Sequence, residues 1–337
     1  MRERPVSTGF ALSTVLLCAA LSAAAQPSYD VAAATQRRAS FIDRVVDEHG
    51  LDAERVRSLL ESATISETIL TAISRPAERV VPWYDYRNIF LTDERIADGA
   101  SFWRQNAAAI EASAERFGVD PHFIVAIIGV ETFYGRRMGT YRVVDALSTL
   151  AFAYPPRADF FAGELEAFLL LDREEGFALT DVTGSYAGAM GAGQFIPTSF
   201  RAYAVDGDDD GRRDLWGDWD DILASVANYL SVHGWTAGEP VAVPATVPAG
   251  MAEPGNALRL TSAVAALRER SIAFDADAAD SDEADVFSFE RDADSTEYWV
   301  GFNNFYVITR YNRSTKYALA VAQLAEAIRD AWLDGEA

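Results

Sequence analysis

The stretch Val125-Ala-Ile-Ile-Gly-Val-Glu-Thr-Phe-Tyr-Gly135 sets a single carboxylate, Glu131, at the end of an almost wholly apolar run. Asp120 can cap a helix here, Pro121 suits its first turn, and Gly135 can end it. A carboxylate held against such a face loses hydration, which favours its neutral form and keeps a proton available near neutral pH. Glycosidases use an acid of this kind to protonate a departing sugar oxygen. The competing reading is a buried Glu paired with Arg136 or Arg137, since ion-pair networks also place acids in helices.

Outward from this run, the chain is long enough for one large domain or a few small ones, at 337 residues. Half its residues are hydrophobic and 12% aromatic, a globular composition. Arg2 and Arg4, the apolar run Phe10 to Leu21 and the small residues Ser22 to Ala25 read as a cleaved signal peptide over 1–25, which implies a periplasmic protein. The single cysteine, Cys18, lies inside that segment; bulky Leu17 before it argues against a lipid anchor. No later segment is long and apolar enough to span a bilayer. The net charge of −22 argues against nucleic acid and anionic membranes as partners. His49, His122 and His233 are too scattered for a His/Cys metal site.

Residues 26–38 read as a polar, Ala-rich leader. From Ala39 to about Ser74 the spacing of Phe41, Val45, Val46, Val56, Leu59 and Leu60 is helical, broken at Gly50 and Pro76. Trp83-Tyr-Asp-Tyr86 reads as an aromatic loop. Phe102 to Phe117, Asp120 to Tyr134, Asp145 to Ala153, Ala162 to Asp172, Asp221 to Gly234 and Lys316 to Asp330 carry helical spacing. Residues 239–299 differ: Val241 to Val247 alternates like a strand, and Asp275 to Asp285 is an acidic run read as an exposed loop. The expected architecture is mainly α, with helical regions at 39–238 and 300–337 and a small β-containing subdomain between them.

Asp206-Gly-Asp-Asp-Asp-Gly-Arg-Arg-Asp214 has the start of an EF-hand loop, with carboxylates at positions one, three, five and nine and Gly211 at six. Arg212 would contribute its carbonyl at position seven. Gly217 stands where a closing Glu belongs, so Asp218, Asp220 or Asp221 would close a lengthened loop, 206–220. A solvated acidic turn is the competing reading. The cation would be structural Ca2+, because no Met-rich groove follows that a calcium sensor would expose; no organic cofactor is implied.

Two further segments carry polar groups suited to sugars. Gly184-Ser-Tyr-Ala-Gly-Ala-Met-Gly-Ala-Gly-Gln-Phe-Ile-Pro197 permits close backbone approach and presents Gln194; Met190 reads as packing. Asn304-Phe-Tyr-Val-Ile-Thr-Arg-Tyr-Asn312 places aromatics and amides before a helix. Glu131, the glycine-rich Gln segment, the EF-hand-like loop and this stretch occur in that order. Together they resemble the membrane-bound lytic murein transglycosylase B family, over about Arg79 to Asp334.

That resemblance implies a lysozyme-like catalytic core with additional helices. It implies a lyase that cuts the β-1,4 bond between N-acetylmuramic acid and N-acetylglucosamine in peptidoglycan strands, leaving a 1,6-anhydro end. By motif, Glu131 matches the catalytic acid/base, and Ser185 and Gln194 match polar residues around the reacting sugar. Tyr154, Tyr229, Tyr311, Asn312, Tyr317 and Tyr86 match the substrate cleft, and Asp206, Asp208, Asp210, Arg212, Asp214 and Asp220 the cation site. No second acid stands beside Glu131, so the expected mechanism uses the substrate's acetamido group with Glu131 as acid and then base. The alternatives are a hydrolytic muramidase and a non-catalytic, calcium-stabilised wall-binding protein.

Overall fold

A computed structural model describes residues 28–74 and 81–335; the expected signal segment, Cys18 and Pro76 lie outside the described residues. The core is assembled around helix Pro121–Thr132, whose residues from His122 to Val130 are all buried. A helix apolar on every side must be surrounded. Helices Asp93–Gln105, Ala107–Phe117, Trp219–Val232 and Thr315–Asp334 surround it. The last of these packs through the buried Ala318, Ala320, Ala322 and Ala325, small enough to let backbones approach.

The central helix does not end where its glycine suggested. It stops at Thr132, and Phe133, Tyr134 and Gly135 follow at φ 53°, 59° and 81°. Left-handed backbone in two bulky residues costs on the order of 1 kcal/mol each and persists only when packing imposes it. Here the Tyr134 hydroxyl donates to the Arg95 carbonyl at 2.8 Å and its ring stacks on Phe102. At the other end Asp120 makes no capping bond; its carboxylate accepts instead from the Trp235 indole at 3.0 Å and the Gly238 amide at 3.1 Å. Asp120 thus ties the start of the helix to the chain beyond Val232.

Other expectations shift. The leader is helical from Val31: Asp30 caps helix Val31–His49, whose buried face is Ala34, Phe41, Ile42 and Val45. Only Ala34 of that face lies before residue 39, which is why the start read as polar. Trp83 to Tyr86 is helix, Trp83–Phe90, with Pro82 ahead of it and Trp83 and Tyr86 buried at helical spacing. The Trp83 indole donates to Glu297 at 2.8 Å and its ring meets Phe289, joining this helix to the β-subdomain.

That subdomain is an antiparallel five-stranded sheet in spatial order Ser262–Ala263, Glu283–Glu290, Thr296–Phe302, Ala242–Thr246 and Ala273–Phe274. One face closes a small core of Val264, Leu267, Ile272, Val286 and Val300. The other sends Phe287 and Phe289 into the main core. The acidic run from Asp275 is loop only as far as strand Glu283–Glu290, where Ala284 is buried, and the sheet runs on to Phe302.

A short ribbon, Tyr141–Arg142 against Thr183–Gly184, brings residues 138–142 beneath the glycine-rich segment. Gly139 (φ 90°) enters it so closely that an added Cβ would lie 2.1 Å from the Gly184 carbonyl oxygen. Gly139→Ala is therefore expected to lower stability by about 1–3 kcal/mol in urea unfolding. Gly163→Ala, a helical position where an added Cβ meets nothing, is expected to raise it by up to about 1 kcal/mol.

Candidate active site

Glu131 stands half-buried in the last turn of the central helix. The Tyr317 hydroxyl, from the first turn of helix Thr315–Asp334, donates to its Oε1 at 2.6 Å. Ser314 caps that helix by accepting the Tyr317 amide, which fixes the tyrosine at the helix start. Burial, then the charge of Glu131 and the presence of Tyr311, holds the Tyr317 hydroxyl well above its ordinary pKa. It remains a donor across the physiological range. Arg136 pairs with Asp98.

The glycine-rich segment folds over this helix end as a tight loop held by bridges Gly184 to Met190 and Met190 to Phe195, with Met190 wholly buried as packing. Its backbone is anchored from three sides. The Ala192 amide donates to the Leu215 carbonyl at 2.7 Å, the Ala192 carbonyl accepts from Thr132 Oγ1 at 2.9 Å, and the Gly193 carbonyl accepts from the Tyr311 hydroxyl at 2.5 Å. Gln194 sits at φ 53°, and its side-chain amide donates to the Met138 carbonyl at 3.2 Å and the Gly191 carbonyl at 2.8 Å. With its NH2 so engaged, the amide oxygen is what Gln194 offers a ligand. Ser185 Oγ accepts from the amides of Ala187 and Ala189, which leaves its O–H for donation.

The structure places the tyrosines in two groups. Tyr229 and Tyr311 meet edge to face, each within 6 Å of Phe195 by ring centroid (5.8 and 5.9 Å), and the Tyr229 hydroxyl donates to the Arg310 carbonyl at 2.6 Å. Tyr86 lies close enough to Tyr317 to raise its pKa further. Tyr86, Tyr229 and Tyr317 are only 1, 8 and 2% exposed, so they do not present open ring faces. Tyr154 and Asn312, half-buried just past the ends of helices Val143–Ala153 and Asn303–Tyr311, keep accessible surface.

In the acidic loop, the carboxylates of Asp206, Asp208 and Asp210 lie within 4.8 Å of one another. Asp206 accepts the Gly211 amide at 2.8 Å and Asp210 the Arg212 amide at 2.8 Å, with Gly211 at φ 89° making the turn. The Asp210 amide lowers the Asp208 pKa, but desolvation and the charges of Asp210, Asp218 and Asp206 outweigh it and leave it raised. Mutual repulsion of this kind is relieved by a hard cation, and the oxygen set suits one. Asp214 and Asp220 stand outside the cluster: Asp214 accepts the amides of Trp216 and Gly217, and Asp220 is exposed. Asp218, which caps helix Trp219–Val232, is the acid whose charge reaches Asp208. Buried Asp221 ties the loop's two ends, accepting the Gly207 and Asp214 amides at 2.6 Å each.

A profile of the transglycosylase SLT domain matches residues 33–326. The chain belongs to the transglycosylase SLT domain family. It is 40% identical over 299 residues to membrane-bound lytic murein transglycosylase B of Escherichia coli (strain K12), covering 86% of this chain and 81% of that one. The structure of soluble lytic transglycosylase SltB1 from Pseudomonas aeruginosa superposes with a TM-score of 0.82 at 47% identity, over 88% of this chain and 99% of that one. That of the Escherichia coli lytic transglycosylase Slt35 in complex with calcium gives 0.80 at 39%, over 88% and 94%. The helical core of this transglycosylase is accordingly lysozyme-like, with additional helices and the β-subdomain beside it.

Several residues that shape the transglycosylase site gave no sequence signal. Thr132, adjacent to Glu131, reads as an ordinary helical threonine, and the Leu215 carbonyl is backbone. Asp221 reads from the sequence only as a candidate cation ligand. Tyr229 yields a test of the buried cluster. Burial, with Tyr203 adding to it and Arg310 opposing, pushes its hydroxyl from 10.0 up to about 12. The unfolded chain therefore ionises first, and the stabilisation is full below pH 10.0 and lost as the pH rises to about 12. Two units correspond to about 2–3 kcal/mol. The fall in stability across that alkaline window, followed by chemical denaturation, is expected to be shallower by this amount in Tyr229→Phe.

Proposed function

We propose that this transglycosylase cleaves the β-1,4 bond between N-acetylmuramic acid and N-acetylglucosamine in peptidoglycan and closes a 1,6-anhydro ring, with Glu131 as its single acid and base. The observation that carries this is the Glu131–Tyr317 hydrogen bond at the end of the central helix, facing a loop that holds Gln194 rigid. Glu131 protonates the leaving oxygen while the substrate's acetamido oxygen attacks the anomeric carbon. The resulting carboxylate, steadied by Tyr317, takes the proton of the 6-hydroxyl as that oxygen displaces the acetamido group. Ser185 and Gln194 hold the acetamido group, donating and accepting respectively, and Tyr154, Tyr311 and Asn312 line the path of the flanking sugars.

Paired-carboxylate glycosidases need a second acid about 5 Å away, or about 6.5–9.5 Å for inversion. The two fully buried acids among the described residues, Glu164 and Asp221, are both committed elsewhere. Glu164 accepts the Thr198 amide and hydroxyl at the start of helix Pro197–Tyr203, and Asp221 secures the acidic loop.

Calcium, on this reading, is held by Asp206, Asp208, Asp210 and the Arg212 carbonyl, with Asp218 in place of Asp220 as the closing acid. It stiffens the segment that ends in Leu215 and supplies no chemistry. Export to the periplasm fits a wall substrate, and no helix among the described residues is long and apolar enough to cross a membrane.

Mass spectrometry of muropeptides released from purified sacculi tests the reaction. Products one water lighter than reducing muropeptides are expected, and none from Glu131→Gln; reducing products would instead identify a hydrolase. Tyr317→Phe is expected to lower kcat by about 10- to 100-fold with KM little changed, the scale of a hydrogen bond to a charged group. Calcium at a hundredfold excess over its Kd is expected to stabilise the wild type by about 2.7 kcal/mol, and Asp208→Asn far less. Thermal melts insensitive to millimolar calcium would remove the cation from this account.

A further inference from the structure

Lys316 is the only lysine in a chain whose 29 basic residues are otherwise arginine. It stands in the first turn of helix Thr315–Asp334, directly before Tyr317. A cation there faces the positive end of the helix dipole, which is unfavourable. Contacts from outside the helix offset this. The Lys316 Nζ donates to the Val81 carbonyl at 2.9 Å and lies 3.6 Å from Oε2 of Glu290. A compact ammonium on a flexible stem can point at a carbonyl and a carboxylate together, whereas a guanidinium presents a rigid planar fork.

Both partners belong to parts of the fold that the reaction proposed above does not use. Glu290 ends strand Glu283–Glu290 of the β-subdomain. Its Oε2 also accepts the Trp83 amide at 3.2 Å, a free donor at the start of helix Trp83–Phe90 that Pro82 has no side-chain group to accept. Desolvation opposes ionisation of Glu290, but the amides of Glu290 and Trp83 and the charge of Lys316 outweigh it and hold the carboxyl below its ordinary pKa. One carboxylate of the sheet thus joins the first turns of two helices. Trp83 seats the same helix start on the sheet through Glu297 and Phe289, and buried Tyr86 of that helix lies beside Tyr317.

We infer that Lys316 is a positioning residue through which the β-subdomain holds Tyr317 against Glu131. This rests on the role given above to Tyr317. The ammonium fixes the helix turn from which the Tyr317 hydroxyl donates to Glu131. Ser314 caps that turn from within its own segment, and Lys316 ties it to Glu290 and Val81 from without.

The test compares turnover of soluble glycan strands by Lys316→Met, Glu290→Ala and Tyr317→Phe, singly and in pairs, with folding checked by thermal melts. Lys316→Met keeps the apolar stem and removes the ammonium. It is expected to lower kcat about 10-fold with KM little changed. Glu290→Ala should do the same, and the two combined should be no slower than either alone. In the Tyr317→Phe background, Lys316→Met should alter kcat by less than about twofold, because the group it positions is gone. Wild-type kcat in folded Lys316→Met, or its full loss added on top of Tyr317→Phe, overturns the role of Lys316. Wild-type kcat in Glu290→Ala overturns the part of the β-subdomain. Lys316→Gln and Glu290→Gln enter the same cycle in place of a variant that fails to fold. The rate counts all fragments released, anhydro or reducing, so a hydrolytic product would overturn the reaction proposed above and leave the result for Lys316 readable.

Discussion

The central helix stops one residue after Glu131, and the site is arranged around that stop. Nine consecutive buried residues, His122 to Val130, make the helix a fixed post in the core. Two bulky residues in left-handed backbone then turn the chain out of the helix at once. Thr132 secures the turn from both sides, since its Oγ1 accepts the Gly135 amide at 3.1 Å while donating to the Ala192 carbonyl. Packing on Phe102 and the hydrogen bond to the Arg95 carbonyl offset the strain at Tyr134.

From Thr132 the constraint passes through backbone to the acidic loop. Ala192 accepts from Thr132 with its carbonyl and donates its amide to Leu215, the residue directly after Asp214. Gly191 makes this approach possible, because an added Cβ would stand 2.3 Å from the Leu215 carbonyl oxygen. Asp221 meanwhile clasps the loop at Gly207 and Asp214. The loop is therefore closed by protein groups alone, and a bound cation would tighten an arrangement already made. Through Leu215 and Ala192 the loop is linked by hydrogen bonds to Thr132, the neighbour of Glu131.

What was legible in the sequence follows from how local each signal is. The apolar run around Glu131, the alternating aspartates with Gly211 and the glycine-rich segment are each encoded within a dozen or so residues. Helix ends were less legible because tertiary contacts decided them. Asp120 is a good capping residue, yet Trp235 and Gly238, far along the chain, claim its carboxylate. The first helix looked polar because most of its buried face comes after residue 39. Tyr86, Tyr229 and Tyr317 read as sugar contacts from their motifs, and no motif records how deeply they are buried. Glu164 was invisible as a cap because Thr198 belongs to another helix.

On the proposed single-acid mechanism, the Tyr317 partner of Glu131 bears on how one carboxylate would serve twice. A residue that first gives a proton and then takes one must remain accessible in both states. A guanidinium bonded to it would favour the anion strongly and withdraw the acid from use. A tyrosine hydroxyl instead stabilises the carboxylate by a hydrogen bond without adding a net positive charge. Burial among Tyr86 and Tyr311, together with the charge of Glu131 itself, keeps the Tyr317 proton on its oxygen, so the tyrosine acts as a donor and does not compete as an acid. Arg95, from helix Asp93–Gln105, and Arg136 and Arg137 of the turn lie over the Phe133 ring, and Arg136 also pairs with Asp98. The Tyr317 hydrogen bond to the carboxyl group thus comes from a neutral phenol.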